Sequence, residues 1–87
     1  MYPDLLGNFI LTLIEKGYRV SVVRDQMVDT LIIMVSKYES VQYYAQRMMT
    51  FGELNSMTKD IQKIWFDGLI EWFEAEFLKL RRQNKND

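Results

Sequence analysis

The stretch KIWFDGLIEWFEAEF, residues 63–77, sets five of the chain's twelve aromatic residues on about four turns of one helix. Stepping 100° per residue resolves two apolar stripes with the four-then-three spacing that aligns side chains. Ile61, Trp65, Gly68, Trp72 and Ala75 make the first stripe; Phe66, Ile70, Phe73, Phe77 and Leu80 make the second, with Leu69 between them. Together they cover well over half of the circumference, whereas a helix lying on a sheet needs an apolar arc of only slightly more than about 100°. This excess is the strongest constraint on the fold.

The rest of the chain supplies what such a helix can pack against. Pro3 and Asp4 suit a first helical turn, and Leu5, Leu6, Phe9, Ile10, Leu13 and Ile14 follow at three- and four-residue spacing until EKG ends the helix at Gly17. YRVSVV then alternates, with Tyr18, Val20 and Val22 on one side and Arg19, Ser21 and Val23 on the other, as a half-buried strand does. RDQMVD reads as a turn. TLIIMVSK reads as a second strand with Leu31, Ile33 and Val35 on one face and Ile32 and Met34 on the other, so both faces are apolar. YES is a short connection and VQYYAQRMM a third antiparallel strand. TFGELNS breaks the pattern, and Ser56 or Thr58 can cap a helix running to about Arg82, which leaves 83–87 as a polar, frayed tail.

The sequence therefore predicts one α+β domain over 1–87: an N-terminal helix, a three-stranded antiparallel β-meander and a long C-terminal helix, with both helices on one sheet face. Hydrophobic content of 48% with 26% charged residues is globular composition.

Composition narrows the chemistry. The absence of cysteine excludes disulfides and thiolate chemistry and points to a reducing cytoplasm, and the absence of histidine removes the commonest general base and metal ligand. The sequence offers no glycine-rich phosphate loop and no nucleophile elbow, so no enzyme, cofactor or metal is expected. The run from Phe9 to Ile14 is too short to span a bilayer, and Asp4 stands where a signal peptide would be basic. With a net charge of −1, no global field favours nucleic acid. Arg19, Arg24, Lys37 and Arg47 around the sheet, with Tyr43 and Tyr44, give only the mixture that many strands carry.

The first stripe alternates small residues with tryptophans, so it can approach the sheet closely while the indoles cover the strands, and two readings of the second stripe then stand open. All of it can be core between sheet and first helix, or part of it can meet another protein. A first helix of 12 to 14 residues reaches only about 20 Å and must also cover the sheet. The length argument therefore predicts that Phe66, Ile70, Phe73, Phe77 and Leu80, above all the end from Phe73 to Leu80, contact a partner or a second copy of the chain. Five acids and two lysines between Ser56 and Leu78, against four basic residues and one acid in the last nine, would suit antiparallel pairing in a homodimer. Dipole complementarity at the helix end explains the same bias. Asp60, Asp67, Glu71 and Glu74 form an acidic ridge, read either as a contact surface or as a solvated helix face.

At EKGYRVSVVRD, DTLIIMVSK and TFGELN the chain resembles small phage and prophage proteins built as helix, meander and helix, among them the type II-A anti-CRISPR inhibitors. The resemblance implies a phage-encoded inhibitor in the cytoplasm of a bacterial host, acting by direct contact with a host or defence protein such as a CRISPR nuclease. A homodimeric structural protein or a nucleic-acid-binding regulator is the alternative.

Overall fold

A computed structural model describes residues 2–25 and 27–85. Helix α1 spans Pro3–Glu15, strands β1, β2 and β3 span Arg19–Asp25, Thr30–Glu39 and Val41–Thr50, the short helix α2 spans Phe51–Asn55, and α3 spans Lys59–Lys85. The strands form one antiparallel sheet in the order β1-β2-β3. The α+β meander with one helix before it and a long helix after it is the predicted architecture, and both helices pack on the same face.

Local chemistry sets the boundaries. Pro3 lies at the start of α1, where its missing N–H is no loss, and Asp4 lies in the first turn. At the other end, Gly17 takes φ +92°, and the N–H groups of Gly17 and Tyr18 donate to the carbonyls of Ile14 and Leu13. That is a Schellman closure, and it swings Tyr18 back beneath the helix. Between β2 and β3 a single residue, Ser40, turns the chain at φ +62°, so the ribbon is as tight as an L-residue allows.

Two boundaries differ from expectation. The segment TFGELNS contains α2, capped by the Thr50 hydroxyl, which accepts from the Glu53 N–H at 3.1 Å. Of the two residues expected to cap α3, Thr58 does so, its hydroxyl accepting from the Ile61 N–H at 3.3 Å. Residues 83–85, expected to fray, continue α3, and positions 86 and 87 lie outside the described residues.

Leu31, Ile33 and Val35 of β2 form the floor of the core, with Leu5, Phe9 and Leu13 of α1 and Phe66, Leu69, Phe73 and Phe77 of α3 as its roof. Phe9 stands between Phe66 and Phe73, with ring centroids 5.3 and 6.4 Å away. Gln62 is the one buried polar side chain among the described residues. Its amide nitrogen donates to the Leu54 carbonyl at 2.9 Å and its oxygen accepts the Tyr2 N–H at 3.0 Å, so one carboxamide joins the start of α1, α2 and α3.

Candidate protein-contact surface

The helical stripe predicted to meet a partner lies inside the chain. Phe73 and Phe77 are 0% exposed, Phe66 is buried, and Ile70 and Leu80 are partly buried against the core. The length argument overlooked Tyr18. Helix α1 covers Phe66 and Phe73, and beyond its end Tyr18 stacks on Phe77 with centroids 5.0 Å apart. Burial there raises the pKa of the Tyr18 hydroxyl. Arg81 and Glu39 then bridge α3 to the end of β2. These five residues are therefore core or its margin, not a surface for a partner.

The other stripe takes the margin and the outside. Ile61, Gly68 and Ala75 are exposed, and Trp65 and Trp72 are half-buried on the β3 side of α3, edge-on to Phe66 and Phe73. An indole has one N–H to satisfy, which favours a position at the rim over the fully dry centre that phenylalanine can fill. The acidic ridge is partly neutralised by the chain itself. Asp67 pairs with Lys63 at 3.2 Å and Glu74 with Lys16 at 2.9 Å, while Asp60 and Glu71 are exposed.

The larger uncovered surface is the second face of the sheet. Alternation that sends Val20, Val22, Leu31, Ile33 and Val35 toward the helices sends their neighbours the other way, where no element among the described residues covers them. The register aligns them in rows across the three strands: Val23–Ile32–Met48, then Ser21–Met34–Gln46, then Arg19–Ser36–Tyr44. Met48 is 58% and Tyr44 68% exposed. Short serines beside Met34 leave a shallow trough of about 460 Å³, lined by Arg19, Ser21, Met34, Ser36, Tyr44 and Gln46. At the end nearest the Val23 row, the turn between β1 and β2 carries Met27, 96% exposed, and Val28.

This face has an apolar row, an amphipathic row and hydroxyl and amide groups, with Arg19 and Asp25 its charges, both on β1. It suits contact with another apolar surface. Sequence reasoning found that both faces of β2 are apolar but did not ask which one the helices would leave bare.

The cations expected to gather around the sheet are separated. Arg24 stacks on Phe51 at 4.3 Å, Lys37 on Tyr18 at 4.7 Å and Arg47 on Trp72 at 5.0 Å, all on the helical side, whereas Arg19 lies on the open face. Tyr43 and Tyr44 point to opposite faces. Among the described residues no group of three or more acidic side chains could hold a metal, and no helix is long and apolar enough to cross a membrane.

No protein-family model, curated protein or solved structure matches this chain.

Proposed function

We propose that this chain is a small protein-binding module that acts by contact, without catalysis, through the open face of its sheet. The observation that carries the reading is the row Val23–Ile32–Met48, which leaves methyl and thioether groups in water beside a turn that exposes Met27 and Val28. A continuous apolar surface rimmed by uncharged polar groups is what protein interfaces present at their centres. Methionine adapts its shape to a partner better than branched residues do. The resemblance to phage inhibitors makes a bacterial host or defence protein the partner class, and inhibition or modulation by occlusion the mode of action.

Capture from a bacterial lysate on the immobilised chain, with a Met34→Lys/Met48→Lys variant in parallel, tests the reading. Both positions are exposed, so the variant keeps the fold. A protein retained by the parent chain and lost with the variant is the expected result; equal retention by both would remove the open face from the account.

A further inference from the structure

We propose that two copies of this chain join through the free edges of their β3 strands to make a continuous six-stranded sheet. Since the order is β1-β2-β3, both outer strands present one unpaired backbone edge. Natural sheets blunt such edges by making them short, charged, bulged or proline-bearing. Strand β1 is blunted: it has seven residues and carries Arg19, Arg24 and Asp25. Strand β3 is far less so. It has ten residues, VQYYAQRMMT, with Arg47 as its single charge and neither proline nor glycine, and pairs with β2 along its whole length without a bulge.

What stands over that edge favours a second copy. On the helical side a groove of about 230 Å³ runs between β3 and α3, lined by Arg47, Trp65, Gly68, Leu69 and Trp72. A Cβ on Gly68 would meet nothing within 4 Å, so the chain's own packing leaves the groove open there. Arg47 lies against Trp72, and Glu76, one helical turn past Trp72, faces the same side. Among the described residues neither Arg47 nor Glu76 is in an ion pair. Opposite charges on one rim are what a twofold contact requires, because each copy then offers the cation that the other's anion needs.

Register follows from the same logic. Pairing must keep the helical faces on one side, which fixes the parity of the register. An antiparallel pair centred on Ala45 sets Val41 opposite the partner's Met49 and so engages nearly the whole strand. It also puts Tyr43 opposite the partner's Arg47 and Tyr44 opposite the partner's Gln46. Centring on Arg47 would oppose two guanidinium groups. The pairing rests on the edge and not on occupation of the open face, so oligomeric mass and partner capture report separately.

Sedimentation and light scattering across a concentration series should give the mass of two chains. A Tyr44→Lys/Gln46→Lys variant sets lysine opposite lysine at two symmetry-related places and should weaken the dimer at least about tenfold. Tyr44→Lys/Gln46→Glu, which sets lysine opposite glutamate, should restore it. Both positions are exposed, and circular dichroism checks the fold. A one-chain mass at every concentration, with or without an added extended peptide, overturns the proposal. A dimer that the double-lysine variant leaves unchanged also overturns it, since the contact would then lie elsewhere.

Discussion

Arg81 holds Glu39 by two parallel hydrogen bonds, Nε to Oε2 at 2.6 Å and Nη2 to Oε1 at 2.7 Å, across 42 residues of sequence. This fork closes the end of the core beyond α1, and Lys37 adds a third contact at 3.6 Å. The Arg81 hydrogen bond lowers the Glu39 pKa below its ordinary 4.5. A carboxyl that binds a proton less readily in the folded state contributes stability that is present above the ordinary value and lost as pH falls through the lowered one. Asp4, lowered by its hydrogen bond to Lys59, acts in the same direction. Thermal midpoints should therefore drop as pH is taken from about 6 to about 3, and Arg81→Met should flatten part of that slope and leave the Asp4 part.

Phe73→Ala removes a ring that is 0% exposed and sits against Phe9, and should cost about 3–5 kcal/mol, a large part of what so small a domain has. Ile64→Ser on the outside of the same helix, where the side chain is 71% exposed, should change stability by no more than about 0.5 kcal/mol. Urea denaturation of the two variants checks the assignment of α3's inner face directly.

Gln62→Leu keeps the side-chain volume but strips the Leu54 carbonyl and the Tyr2 N–H of their partners. The expected loss is about 1–3 kcal/mol, dominated by the carbonyl, because the N–H lies where water can reach it. Chemical denaturation of this variant against Gln62→Ala separates lost hydrogen bonding from lost packing, since the leucine loses only the hydrogen bonds and the alanine loses both.

Ser40 and Gly17 both occupy left-handed backbone and should respond oppositely to substitution. Ser40→Gly relieves a strain of about 1 kcal/mol and loses part of it to the greater freedom of unfolded glycine, for a net gain of about 0.5 kcal/mol. Gly17→Ala places a Cβ at φ +92° and should cost about 1 kcal/mol or more through the Schellman closure. Thermal midpoints of the two variants read the signs.

The meander was legible because alternation at Val20, Val22, Leu31, Ile33 and Val35 is a period no helix shares, and α1 because its proline start and glycine stop frame an unbroken apolar stripe. Helix α2 was hidden by its five residues, too few to show a period, within a segment whose Gly52 and Asn55 signal a turn. The inner face of α3 was misassigned because periodicity states how many apolar stripes there are and not which one the sheet takes. The deciding chemistry, that phenylalanine fills a dry centre while tryptophan keeps its N–H near water, was available in the residues Phe66, Trp65, Phe73 and Trp72 themselves. The bare sheet face was invisible for a related reason: one strand with two apolar faces reads the same whether both are covered or one is left open.

Because Phe66, Phe73 and Phe77 complete a lid that α1 only begins, over strands made some thirty residues earlier, the meander leaves the ribosome with its helical side only partly shielded and its other side bare. Until α3 has emerged, the nascent ribbon has only α1 to cover Leu31, Ile33 and Val35 on one side and leaves Ile32, Met34 and Met48 exposed on the other, the kind of surface that chaperones bind. The last third of the gene thus governs whether the first two thirds stay soluble, and a ribosome that stalls before Lys59 would release an aggregating peptide rather than a partial domain.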